Sequence, residues 1–324
     1  MPGLLAAFAF LFSIVIPIAP TTVSPVADAP FARAHRTVTN DVDAQAAFDD
    51  GLTLLYAFDP EEARRSFERA ARVQPQLAIA WWGIAMSYGV NINTDYDAAK
   101  QRRGRDAIVR AAALAARATP TERGLIEAAS KRFALTGSGD ADRSARAYRD
   151  AMERLAVAFP ADDDVLTLAA EAEMDVHSWS YFTADGQATP GTNDTIARLE
   201  TVLARDPAHL GANHFLIHVF EESAHPEAAL AAAKRLAALS FEPAAEHLAH
   251  MPAHTFMRVG DYHDAGEANA RAVALYERFL AADPAGHTEY LSHDCRFGVD
   301  ACMMSGEYAR AREIAATCAR SNPR

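Results

Sequence analysis

The chain reads as an all-α protein of stacked helix pairs, and three observations carry that reading. Half of its 324 residues are apolar and its long segments are rich in alanine, the composition of a helical core. Small, aromatic and proline positions recur with one spacing, so a unit of about 34 residues is repeated. Two pairs of histidines, His214/His218 and His250/His254, recur 36 residues apart at the same place in their units. The formal net charge of −12 and the lack of a dense Lys/Arg block speak against a nucleic-acid or anionic-membrane partner.

Taken in order, the chain opens on Leu4 to Ala19 (LLAAFAFLFSIVIPIA), an apolar run too short and proline-marked for a membrane span. Small-residue sites follow at Ala27-Asp28-Ala29 and Ala32-Arg33-Ala34. The expectation is a signal peptide and leader over 1–34, a folded region over 35–324, and a mature chain that starts between residues 28 and 35. The protein is then exported, periplasmic or secreted, with no strong membrane association; an uncleaved signal would leave it membrane-anchored. Cleavage after Ala34 would put His35 at the mature N-terminus, where its amine and ring can chelate copper.

The repeat is clearest in AFDPEEARRSFERAARVQP, where Ala63, Phe67, Ala70 and Pro75 keep an A-x3-F-x2-A…P spacing. Continuing the count puts Trp81, Ile84, Ala85 and Tyr88 at positions 4, 7, 8 and 11 of the next unit, with Gly51 at position 8 one unit earlier. These residues resemble the tetratricopeptide (TPR) repeat superfamily. Pro160, Pro207, Gly306, Tyr308 and Pro323 extend the resemblance in degenerate form over roughly 44–324, interrupted by irregular insertions near 91–105 and 177–191. The resemblance implies a right-handed TPR-like helical-repeat solenoid of stacked antiparallel helix pairs. A last repeat without a polar cap would favour a homo-oligomer through that end.

The stretch HLAHMPAHTFMRVGDY, residues 247–262, carries the chemistry. Counting back from Gly260-Asp261-Tyr262 places His247, His250 and His254 at positions 2, 5 and 9 of a first helix; His214 and His218 hold positions 5 and 9 one unit earlier. At about 100° per residue, positions 2, 5, 9 and 12 form one stripe, which in such a solenoid lines the concave groove. Glu221 at position 12 and His293 at position 2 of the last unit join it, and ten of the twelve histidines fall between 209 and 293. Imidazoles at i and i+4 can share an ion. The expected site is His214, His218, His250 and His254 on one ion, with His247, Glu221 and His293 in reserve, and Glu221, Glu222 or Glu246 fixing ring tautomers. All-imidazole ligation suits copper or zinc, less often iron or nickel. With four ligands the site is structural or metal-carrying; with three, an open position permits oxidative or hydrolytic catalysis on a small molecule, with Glu221 or Glu222 as acid or base. The alternative is a metal-free scaffold whose groove holds a peptide.

A narrower resemblance rests on the same residues. A bacterial subgroup of tetratricopeptide proteins carries H-x2-H-M-P-[SA]-H-[IT]-[YF]-x-R-x-G, matched here by Met251, Pro252, Arg258 and Gly260 as well as the histidines. Related chains carry H-N-x-H-F near the C-terminal end, where this one has His293-Asp294-Cys295-Arg296-Phe297, with arginine in place of the second histidine. The resemblance implies fold and site but no reaction. Elsewhere, Cys295, Cys302 and Cys318 fall on packing positions and read as core thiols. Trp82, at groove position 5, could stack on a ligand. Asp162-Asp163-Asp164 suits a helix N-terminus rather than calcium.

Overall fold

The computed structural model describes residues 31–134 and 141–321. Among them the named elements are all helical, and β-structure is confined to one bridge between Phe182 and Ala188. The first hairpin is α1 (Val42–Tyr56) and α2 (Pro60–Val73). Asp41 caps α1 by accepting from the amides of Asp43 and Ala44, and Asp59 caps α2 ahead of Pro60, which loses nothing where a helix has no partner for that N–H. The ring of Phe67 is wedged between Gly51 of α1 and Gly83 of α3 (Ala78–Met86); a Cβ at either glycine would lie 2.6 or 2.4 Å from it. The repeat spacing of small and aromatic positions is therefore a packing requirement.

The chain continues through α4 (Ala98–Leu114), α5 (Pro120–Arg132), α6 (Ala141–Ala158), α7 (Asp163–Val176), α8 (Thr192–Arg205) and α9 (Leu210–Glu221). It ends with α10 (Leu230–Ala237), α11 (Glu246–His250), α12 (Pro252–Val259), α13 (Tyr262–Ala282), α14 (Leu291–Met304) and α15 (Tyr308–Ser321). Consecutive helices pack on one another along the chain, with α13 also covering α11, an arrangement compatible with a helical-repeat solenoid. The stack also returns on itself, since α1 touches α9. The Tyr56 hydroxyl donates to Asp164 Oδ1 over 2.7 Å, Gly211 of α9 fits against the Tyr56 ring, and Arg65 reaches Asp283 at 2.9 Å.

This closure corrects two expectations. The stripe at positions 5 and 9 does not line an open groove: His214, His218, His250 and His254 are buried, and so is Trp82, which cannot be a stacking platform. Trp81, its neighbour, is the half-buried one and carries the Arg110 guanidinium 5.4 Å from its ring. Nor are the cysteines all thiols. Cys295 and Cys318 form a disulfide, leaving Cys302 free and buried. Packing positions on the two helices of one hairpin face each other, which brings these two Cα atoms to 6.0 Å, within disulfide reach.

Ahead of α1, residues 32–39 run as an extended strap held to three parts of the fold. The Ala32 amide donates to Ser240 O (2.7 Å), the Ala34 amide to Thr53 Oγ1 (2.9 Å), and Arg36 forms a fork on Asp162 with a third bond to Asp164. The apolar run of the expected signal lies outside the described residues. No helix among the described residues is long and apolar enough to cross a membrane.

Candidate metal centre

Six histidines from four helices meet at the centre of the closed stack. They form two groups, His214, His218 and His247 in one and His250, His254 and His293 in the other; the ligand atoms of each lie within 4.8 Å of one another. Helix α9 contributes one i,i+4 pair. The second pair straddles Pro252, whose missing N–H and ring break the helix between α11 and α12. His247, one turn before His250, joins the α9 pair, and His293 reaches in from the first turn of α14. The groups are adjacent: ring centroids are 5.8 Å apart for His247 and His250 and 6.2 Å for His218 and His254. All six histidines named from the sequence thus come together, divided between two groups rather than gathered as four around one point.

Hydrogen bonding fixes which nitrogen is bare on four of the six rings, while His247 has no partner at either nitrogen. His214 Nδ1 lies 2.6 Å from the Tyr56 carbonyl, and His218 Nδ1 lies 3.2 Å from Glu221 Oε2. Both partners only accept, so each Nδ1 carries the hydrogen and each Nε2 is a lone pair; neither Nε2 has a partner. In the second group, His254 Nδ1 faces Glu221 Oε1 at 2.6 Å and His250 Nδ1 faces Asn269 Oδ1 at 2.7 Å. The orientation of that amide is set by its Nδ2, which donates to Ala265 O. The lone pairs of His250 Nε2 and His254 Nε2 therefore point at one another over 2.8 Å, with His293 Nε2 3.2 Å from the first. Two such lone pairs repel unless a cation lies between them. Two nitrogens bound tetrahedrally to one ion at about 2.0–2.1 Å would sit roughly 3.3 Å apart, so the donor set fits a metal with small adjustment.

Burial, then the neighbouring imidazoles, push the pKa of His214, His247 and His250 well below the ordinary value. Burial also lowers His218 against the pull of Glu221, and brings His293 down to about 4. These rings are neutral at neutral pH and need not shed a proton to act as ligands. Burial works against ionising Glu221, but His254 and His218 outweigh it and hold its carboxyl well below the usual range. One carboxylate thus orients a ring in each group. Glu222, at the C-cap of α9, is raised by burial and by Glu221 and is not among the described residues lining the adjoining cavity. Behind the rings, burial raises Asp59 to about 7 and Asp294 and Glu246 well above the carboxylate range.

The centre opens on a cavity of about 690 Å³, into which His218, His247, His254 and His293 face. Its walls come from residues 90–96 on one side, from Asp175 at the end of α7 and the loop after it on the other, and from Ala141, Asp142 and Ala145 of α6. The first two are joined by the Trp179 indole N–H donating to Ile92 O over 2.8 Å. Among the described residues only Phe58 and Trp179 hold positive φ without being glycine, 55° and 57°. Both abut the first group: Phe58 packs 4.6 Å from His214 and 5.8 Å from His218, and Trp179 stands edge-on to His218 at 5.5 Å. Left-handed backbone costs a bulky residue about 1–2 kcal/mol and persists where packing dictates it.

The sequence reading missed Asn269, the Tyr56 carbonyl and these aromatic residues as parts of the site. His209, outside both groups, accepts at Nδ1 from Ala212 N to cap α9, and its ring is largely buried near Tyr56 and Asp164. No protein-family model matches the chain, and no curated protein does. What fold and site define is an all-helical protein with two histidine groups able to hold a metal ion.

Proposed function

We propose that this is an exported protein of tetratricopeptide type, signal over 1–34 and solenoid over 35–324, whose two histidine groups bind two transition-metal ions side by side. His214, His218 and His247 would hold one ion; His250, His254 and His293 would hold the other. The observation that carries the reading is the set of bare Nε2 lone pairs on His214, His218, His250 and His254, each fixed by a partner at Nδ1 and aimed at nothing but another ring. All-nitrogen donor sets favour copper or zinc. The disulfide supports an oxidising compartment outside the cytoplasm.

Three ligands per ion and a cavity beside both groups favour catalysis over storage. Bound there, copper would supply electron transfer to and from a small substrate, and zinc Lewis acidity. The chain's own part is to hold four rings in one tautomer through Tyr56, Glu221 and Asn269, and to exclude water from one side of the centre with Phe58. Because Glu221 is occupied at both oxygens by ring hydrogens, its role here is positioning.

Elemental analysis of purified protein offered copper and zinc tests the reading. About two ions per chain are expected, falling to about one in His214→Ala/His218→Ala and in His250→Ala/His254→Ala. Metal at background in the wild type would overturn it and leave a metal-free binding scaffold.

A further inference from the structure

The cavity beside the histidines has a one-sided charge. Among its described lining residues there is no lysine or arginine, while Asp95 and Asp142 lie exposed on it and Asp175 faces it from a buried position. Arg132 is close by, but its guanidinium pairs with Asp175 Oδ2 at 3.0 Å and bonds the Val90 carbonyl, so its charge is already matched. The second oxygen of Asp175 has no partner, although the side chain is only 2% exposed. Two flat rings complete the walls: Trp179, 37% exposed, and Tyr290, stacked on His247 with centroids 4.1 Å apart.

These surfaces select by chemistry. A carboxylate or phosphate would meet like charge with no basic side chain to receive it. An ammonium group would find Asp95 and Asp142 toward solvent and an aromatic face that attracts cations. An aromatic ring could lie between the indole and the phenol with its far end toward the imidazoles, and the volume suits a ligand of that size.

We propose that the substrate of this cavity is a small aromatic amine, held by its ammonium group at Asp95 and Asp142 with its ring directed toward the histidine centre. That it is the substrate of a metal centre rests on the function proposed above; that the cavity selects a cationic ring compound does not.

Three probes that differ only in their tails separate the possibilities: tyramine, para-ethylphenol and phloretate, which are cationic, neutral and anionic. Binding is measured by calorimetry on the mature protein, first with chelator and then metal-loaded, with metal content assayed on the same samples. In the chelated protein tyramine should bind on the order of tenfold tighter than para-ethylphenol at low ionic strength, and phloretate weakest. The lead should shrink as salt is raised and vanish in Asp95→Asn/Asp142→Asn with para-ethylphenol affinity unchanged. In the loaded protein tyramine should keep its lead over para-ethylphenol. Phloretate binding as tightly as tyramine in the chelated protein, a tyramine lead that survives the double substitution, or no binding of any probe at millimolar concentration would overturn the proposal. A protein that takes up no metal yet keeps the amine preference would instead remove the metal centre and leave the cavity's selectivity standing.

Discussion

Glu221 accepts from the Nδ1 hydrogens of both His218 and His254, so a single side chain sets ring orientation in two groups. Glu221→Gln offers one acceptor where two are needed, and metal affinity should drop about 10–100-fold. Competition with a chromogenic chelator would measure this, with Glu222→Gln, which touches neither ring, expected to bind like the wild type. Acid should act through the rings themselves. Folding lowers the pKa of His214, His218, His247 and His250, and brings His293 to about 4, against about 6.5 in an unfolded chain. Below about pH 6.5 the unfolded chain therefore binds protons that the folded one does not. Asp59, Glu246 and Asp294, raised by burial, act with the opposite sign, so the histidine contribution is read as a difference. The melting-temperature gap between metal-free wild type and His214→Phe/His247→Phe, whose new rings take up no protons, should be constant above about pH 6.5 and shift against the wild type as the pH falls toward about 4; a gap independent of pH would contradict the burial of these rings. The six histidines were legible because the i,i+4 spacing and the repeat register place them on the same stripe of successive units. Asn269 and the Tyr56 carbonyl were not, since each meets its ring across helices, 19 and 158 residues away in the chain.

At the scale of elements, the buried pair Arg132–Asp175 holds α5 to α7, and its bond to the Val90 carbonyl fixes the loop that walls the cavity. The guanidinium also lies 4.7 Å from the Tyr148 ring. Arg132→Met would leave Asp175 buried and uncompensated, and should cost about 3–5 kcal/mol in denaturant unfolding. The disulfide closes a 23-residue separation between α14 and α15, so its removal in Cys295→Ser/Cys318→Ser should cost about 3 kcal/mol by the loop-entropy relation. Because α14 carries His293, the same variant should weaken metal retention in the second group more than in the first. Helix pairs and the Phe67 packing could be read from spacing alone. The insertions could only be read as interruptions, because walls that face a site are built from loop residues with no period.

For the whole molecule, the strap at residues 32–39 bears on the proposed removal of a leader. Among the described residues its backbone contacts begin at Ala32, and the main ionic fork is Arg36 on Asp162. A mature chain starting between residues 28 and 35 would keep that fork; intact-mass analysis of exported protein should find its N-terminus there, and retention of Met1 would refute cleavage. The contact between α1 and α9 reaches further. A linear array of repeats unfolds piecemeal, each unit held only by its neighbours. Here Tyr56 is bonded to Asp164 of α7 and to His214 of α9, so opening α1, α7 or α9 also breaks the contacts at this seam. These three helices should exchange their amide hydrogens as one cooperative unit in hydrogen-exchange measurements. The seam also pairs residues far apart in sequence, which delays its formation until most of the stack exists. The bond from His214 to the Tyr56 carbonyl, made across 158 residues, should therefore form late in folding, whereas the group of His250, His254 and His293 joins helices closer together in the chain.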